Sequence, residues 1–124
     1  MVLSEANEDY LEAILILYQK KGSVRSIDLV HHFDYSRPTI FSAVKRLREG
    51  GYLTVKEDKH IELTASGRAI AEKIYERHRF LMSCLVSLGV DFAQAEKDAC
   101  KIEHDLSDKT YNLLRDCCRE KGTR

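Results

Sequence analysis

The sequence predicts a mainly α fold: a winged helix-turn-helix whose wing is a small β-hairpin, followed by a second, wholly helical domain. Three observations carry that class. Apolar residues recur at the helical period over most of the 124 residues. Two short helical stretches meet at the turn Asp34-Tyr35-Ser36, as a helix-turn-helix requires. Two β-prone runs then flank the polar turn Glu57-Asp58-Lys59.

Helix 1 is expected from about Glu5 to Lys20, with Tyr10, Leu11, Ile14, Leu15, Leu17 and Tyr18 as its apolar stripe and Gly22 as its stop. Helix 2 covers Ser26–Phe33, turning Ile27, Leu29, Val30 and Phe33 inward. Helix 3 starts at Ser36 as N-cap, with Pro38 in the first turn, where a missing N–H costs little. Its inner face is Ile40, Ala43, Val44 and Leu47, and Gly50-Gly51 ends it. Tyr52–Lys56 and His60–Leu63 form the hairpin. A long helix follows from Ala65 to Leu88, carrying Ile70, Ile74, Phe80, Leu81, Leu85 and Leu88 and closed by Gly89. Asp91 caps a fifth helix reaching about Asp105, and Ser107 caps a sixth reaching about Glu120. The expected domains are 1–64 and 65–124.

Composition narrows the function classes. The longest apolar run, in Ala13–Tyr18, is too short to cross a bilayer, and no secretory leader is visible, so a cytoplasmic protein without a membrane partner is expected. Cys84, Cys100, Cys117 and Cys118 show no disulfide framework and read as reduced. Cys84 reads as a small buried hydrophobe, and Cys117 and Cys118 receive no role. Net charge is zero, but Lys20 to Arg48 holds seven basic residues against two acidic ones. Such a run is by itself usually a solvated face.

Its place on a helix-turn-helix changes that reading. The third helix must bury one side while the other enters a major groove of double-stranded DNA. Its outer side offers Arg37, Thr39, Ser42, Lys45 and Arg46, with Ser36 and Pro38 at an N-terminus that favours a phosphate. Arg25 and the hairpin residue Lys59 complete the expected DNA contacts. Glu57 and Asp58 oppose phosphate, so the wing's share is expected to be modest. A winged helix used only for packing remains the bland alternative.

A second pattern is chemical. Cys100, Glu103 and His104 stand at i, i+3 and i+4 in DACKIEHDLS, on one helical face. A thiol, a carboxylate and an imidazole are transition-metal ligands, although an isolated triplet of this kind is usually polar surface. Asp9 and Glu12 are i, i+3 neighbours on helix 1, and His78 lies midway along the long helix. If three helices bring these groups together, the carboxylates repel and a cation is needed to hold them.

Several segments together carry a resemblance. These are Glu8-Asp9-Tyr10-Leu11-Glu12, Ser36-Arg37-Pro38-Thr39, Leu63-Thr64-Ala65-Ser66-Gly67, Arg77-His78 and the run Cys100 to Ser107. Over nearly the whole chain they resemble the DtxR/MntR family of bacterial metal-dependent transcriptional repressors. The resemblance implies a homodimer, with helices 4 to 6 forming a dimerisation and metal-binding domain. It implies a DNA operator as partner and a divalent metal as corepressor. It assigns the ligands as Asp9, Glu12, His78, Cys100, Glu103 and His104. The manganese-responsive branch has Glu where this chain has Cys100; the iron-responsive branch has Cys there but Met in place of Asp9. Met82 and Glu96 occupy the further positions of the iron branch's second site, so no such second site is expected.

Mn²⁺ or Fe²⁺ is therefore expected, with Zn²⁺ or Co²⁺ admitted because a thiolate favours softer ions. One firmly bound ion with a second weak or absent fits the loss of a bridging carboxylate. Two rivals remain: a metal-independent winged-helix regulator sensing a small ligand, and a metal-dependent hydrolase. The second lacks a nucleophile elbow, an H-E-x-x-H and a phosphate loop, so no enzyme and no small-molecule substrate are expected.

Overall fold

The computed structural model describes residues 4–120 and forms two compact units, residues 1–73 and 74–124. The order is α1 (Glu5–Lys21), α2 (Ser26–Phe33), α3 (Arg37–Glu49), β1 (Leu53–Val55), β2 (Ile61–Leu63), α4 (Ala65–Ser87), α5 (Phe92–Asp105) and α6 (Asp108–Glu120). Among the described residues, no helix is long and apolar enough to cross a membrane.

Each helix start is fixed by a local cap. Ser4, Ser36 and Asp91 accept from Asn7 N, Thr39 N and Gln94 N at the starts of α1, α3 and α5. Ser107 Oγ accepts from Thr110 N at 3.1 Å before α6. Gly22, at φ 84°, takes the left-handed turn that ends α1.

In the first unit, Tyr10, Leu11, Ile14 and Leu15 of α1 are buried together with Leu29, Ile40, Val44, Leu47, Leu53 and Ile61. Tyr18, expected inside, is half exposed. It lines a cleft with Ile14, Leu15, Leu63 and Arg68, and a tyrosine, with an apolar ring and a polar tip, tolerates such a half-covered place. Ile27, Val30 and Phe33 are only partly covered. Phe33 stacks on Tyr35 (5.4 Å, 17°) and meets Tyr10 edge-on at 5.1 Å, so an aromatic cluster covers the end of α2.

The hairpin is antiparallel, pairing Leu53 with Leu63, Thr54 with Glu62 and Val55 with Ile61. Lys59 N donates to Lys56 O at 2.9 Å and Lys56 N to His60 O at 2.8 Å, with Lys59 at φ 74°. This is a three-residue loop with a left-handed third position, a slot usually given to Gly. A further strand-like bridge, Arg25 to His60, ties the residue before α2 to the wing, and Ile61 N donates to Val24 O at 2.7 Å.

The start of α4 belongs to this first unit. Thr64 N donates to Tyr52 O, and Thr64 Oγ1 donates to Gly51 O at 2.7 Å while accepting from Gly67 N. A Cβ on Gly67 would stand 1.9 Å from Tyr52 O, so only Gly permits the approach. The compact units part inside α4, between residues 73 and 74.

The second unit buries Ile74, Leu81, Ala95, Ala99 and Tyr111 around two charged residues, Arg77 and Glu103. Leu88, expected on the inner face, lies past the end of α4 and is 81% exposed. Cys84, expected to be buried, is partly covered, and no disulfide joins any of the four cysteines.

Candidate metal centre and DNA-facing helix

Within the second unit, α4 supplies His78 and α5 supplies Cys100, Glu103 and His104. The i, i+3, i+4 spacing turns the α5 donors to one side, as the helical period requires. His78 Nδ1 lies 2.7 Å from Glu103 Oε1 and 4.0 Å from Cys100 Sγ. One ligand atom from each of the three falls within 4.8 Å of the others. Ligands bound at about 2.0–2.3 Å to one ion are separated by at most about 4.6 Å, and the His78–Glu103 and His78–Cys100 separations of 2.7 and 4.0 Å fall inside that limit. His104 Nε2 lies 3.5 Å from Glu103 Oε2.

Glu103 is fully buried. Its Oε1 meets His78, but Oε2 has no hydrogen-bond partner among the described residues. A buried carboxylate oxygen left in that state costs free energy, and a cation would remove the cost. The hydrogen bond to Cys100, followed by that to Glu103, raises the His78 imidazole from 6.5 to about 10, against the opposing effect of burial. Without a metal, then, a proton on His78 supplies the positive charge between thiol and carboxylate. Sulfur, nitrogen and oxygen donors around an orphaned carboxylate oxygen fit a divalent transition metal. Cys100 is exposed and Glu103 is not, so solvent reaches the group from the thiol side.

Asp9 and Glu12 belong to the first unit, one turn apart on α1. Asp9 is partly covered and Glu12 is buried, an unusual place for a carboxylate. The arginine before His78 was missed by a search for ligand types. Arg77 is buried and donates to Glu103 O at 3.1 Å and Leu106 O at 2.7 Å. Charge and periodicity do not distinguish it from its exposed neighbour Arg79; only the family resemblance, through Arg77-His78, singles it out.

In the first unit, α3 has the two-sided character its period predicts. Ile40, Ala43, Val44 and Leu47 are buried, while Arg37, Pro38, Thr39, Ser42, Lys45 and Arg46 are exposed. Ser36 Oγ lies 2.8 Å from Thr39 Oγ1, so both hydroxyls are held at the helix start. Arg46 donates to Ser42 Oγ at 3.3 Å and to Asn7 Oδ1 at 3.2 Å, which aims its guanidinium along the exposed side. Arg25 is exposed beside the wing, and Lys59 stands at the wing tip. In that tip, His60 Nδ1 pairs with Asp58 at 2.8 Å and holds the Asp58 carboxyl below its usual range. Reading by charge alone passed over Phe41, half exposed on the outer side of α3. Its signal was an aromatic residue off the inner stripe, next to Ile40.

Comparison with known proteins agrees with both halves. Residues 2–61 match the N-terminal DNA-binding domain of iron-dependent repressors, and residues 64–120 match the metal-binding and dimerisation domain of the same group. Transcriptional regulator MntR of Escherichia coli O6:H1 is 31% identical over 120 residues, 97% of this chain and 77% of that protein. Iron-dependent repressor IdeR of Mycobacterium tuberculosis is 32% identical over 113 residues, 90% of this chain but 49% of its own length. The solved structure of a manganese-dependent transcriptional repressor in complex with manganese superposes with a TM-score of 0.79 at 27% identity, covering 95% of this chain and 53% of that one. This chain thus spans about half the length of the last two. It belongs to the iron-dependent repressor (DtxR/MntR) family of metal-dependent, DNA-binding transcriptional regulators.

Proposed function

We propose that this chain represses transcription as a homodimer, with a divalent metal as corepressor, and that Asp9, Glu12, His78, Cys100, Glu103 and His104 hold the metal. The observation that carries the reading is the buried Glu103 carboxylate, with one oxygen on His78 and the other lacking a hydrogen bond, 3.5 Å from His104 and on the same helical side as Cys100. Manganese and iron are the ions named for relatives; the exposed thiol of Cys100 also admits Zn²⁺ or Co²⁺ here.

A divalent ion, when bound, supplies the positive charge that lets several carboxylates share one spot. His78 through Nδ1, Glu103 through its second oxygen and Cys100 through its sulfur would hold the ion, His78 giving up its proton to solvent. Asp9 and Glu12, which the family resemblance adds to the ligand set, would tie α1 and the DNA-binding unit to that ion. Fixing that unit limits how far the two recognition helices of a dimer can separate, and half-sites on one face of DNA repeat at about 34 Å. Arg37, Thr39, Ser42, Lys45 and Arg46 then meet base edges and phosphates, with Ser36 and Pro38 at the helix start. Arg25 and Lys59 reach the flanking backbone. Metal and DNA each tighten the other's binding, as linkage requires.

The test is DNA binding titrated with Mn²⁺, Fe²⁺, Co²⁺ and Zn²⁺ in turn at fixed salt, for wild type, Glu103→Ala and His104→Ala. Wild type is expected to bind a selected operator only with metal, and both variants to lose that response. Metal-independent binding by wild type, or variants that respond like wild type, would overturn the reading.

A further inference from the structure

We propose that Arg77, which is not a ligand, is the positioning residue of the metal centre, fixing the register of α5 against α4 so that Cys100, Glu103 and His104 face His78. The inference rests on the reading of those residues as ligands given above. Arg77 is 4% exposed; both terminal nitrogens of its fork are engaged, while its Nε finds no hydrogen-bond partner among the described residues. One terminal nitrogen donates to the carbonyls of Glu103 and Leu106, and the other pairs with Asp108. The guanidinium carbon stands 4.9 Å from the centre of the Tyr111 ring, itself buried edge-on against Phe80.

These acceptors lie where α5 ends and α6 begins. Glu103 O is one of the last-turn carbonyls that an α-helix leaves unpaired, and Asp108 opens the next helix. A cation at that junction suits the negative end of α5 and the acidic first turn of α6. Arg77 therefore bolts α4 to the turn that carries the ligands.

Glu103 is consequently held twice by consecutive residues of α4. Arg77 takes its main-chain carbonyl, and His78 takes its side-chain carboxylate. A glutamate side chain has three rotatable bonds, so its carboxylate is placed only if its backbone is. Cys100 and His104 share the same turn and a half of α5, so a slip there moves every donor of that helix together. Stability alone gives weak reason to bury a guanidinium, since an apolar residue of similar volume commonly serves as well. Lysine cannot replace it, because a single ammonium lacks the planar fork that serves two carbonyls and a carboxylate at once.

The experiment uses the full chain and Co²⁺, whose visible bands report ligand geometry and whose charge-transfer band reports the thiolate. Wild type, Arg77→Lys, Asp108→Asn and Glu103→Gln are titrated at a temperature where circular dichroism shows each apo protein folded. Arg77→Lys is expected to bind Co²⁺ about 10–100-fold more weakly than wild type, with altered visible bands. Asp108→Asn loosens one side of the fork and is expected to shift affinity less, in the same direction. A folded Arg77→Lys with wild-type affinity and spectrum overturns the proposal, whatever its melting temperature. If Arg77→Lys does not fold, an unchanged affinity and spectrum in Asp108→Asn does so instead. A wild type that gives no cobalt spectrum, matching Glu103→Gln, refutes the ligand reading itself and this proposal with it.

Discussion

The two units bury different things. The first has an ordinary apolar interior, in which Leu11, Ile14, Leu29, Ile40, Leu47 and Ile61 come from three helices and a strand. The second buries few large apolar side chains and places Arg77 and Glu103 among them. It also leaves Val86, Leu88, Phe92, Leu113 and Leu114 open, with Leu88 and Phe92 81% and 67% exposed. A domain that covers charge and exposes leucine is incomplete alone. Its Glu103 carboxylate keeps one oxygen without a hydrogen-bond partner among the described residues and its apolar side chains stay exposed, whereas the first unit buries a single carboxylate, Glu12, beside an otherwise apolar core.

The strongest way to break that contrast is to spoil the exposed apolar surface. A specific homodimer needs about 800 Å² from each partner, and buried carboxylates there would be strongly unfavourable. If the proposed homodimer forms through this surface, Phe92→Glu combined with Leu113→Glu is expected to sediment as a monomer where the unaltered chain sediments as a dimer, and to lose metal-dependent DNA binding. An unshifted dimer would place the partner surface elsewhere.

The next effect falls on the first unit. Gly67→Ala drives a methyl into the Tyr52 carbonyl, a backbone atom that cannot swing aside. A loss of about 2–4 kcal/mol in urea unfolding is expected, on the scale of a core overpacking defect. The neighbouring Ser66→Ala, at an exposed position, should change little. Equal effects at the two positions would mean that the close approach of α4 to Tyr52 contributes nothing.

Metal and proton compete in the second unit, and the sign follows from His78. Its proton is held up to about 10 and must leave before Nδ1 can bind an ion. Metal affinity should therefore rise with pH, by about tenfold per unit for this proton alone, until pH passes the imidazole's own value. The apo fold has the opposite trend. The stability gained from a protonated His78 is complete below 6.5 and is lost as pH rises through about 10. Calorimetry in buffers of different ionisation enthalpy should register at least one proton released per ion. Affinity that does not change with pH would remove His78 from the ligand set.

How much of this was legible depended on how local the cause was. The caps Ser36, Asp91 and Ser107 and the two-sided α3 are set by residues within a turn or two, so periodicity and capping chemistry placed them closely. The α5 donors were legible for the same reason. Arg77 was not, because its partners lie 26 to 31 residues away and its neighbours in sequence are also charged. The same holds for the Arg25–His60 bridge, which joins residues 35 apart through main-chain pairing rather than side-chain type. Tyr18 and Leu88 failed in the other direction: each fits the helical period, but the described residues leave Tyr18 45% and Leu88 81% exposed.

The smallest effect concerns the wing, where local chemistry and function pull apart. Lys59 adopts φ 74°, a conformation that strains a residue with a Cβ and suits Gly. Lys59→Gly should therefore stabilise the first unit by about 0.5–1 kcal/mol, read from its urea midpoint. The same change removes a positive charge from the wing tip. If Lys59 meets phosphate, DNA affinity should fall about equally on all sequences, and the salt dependence of binding should lose about one unit of slope. Retention of a strained lysine is then explained by contact with the DNA backbone. A stabilised variant with an unchanged salt slope would leave the wing without a DNA role, and α3 would carry recognition alone.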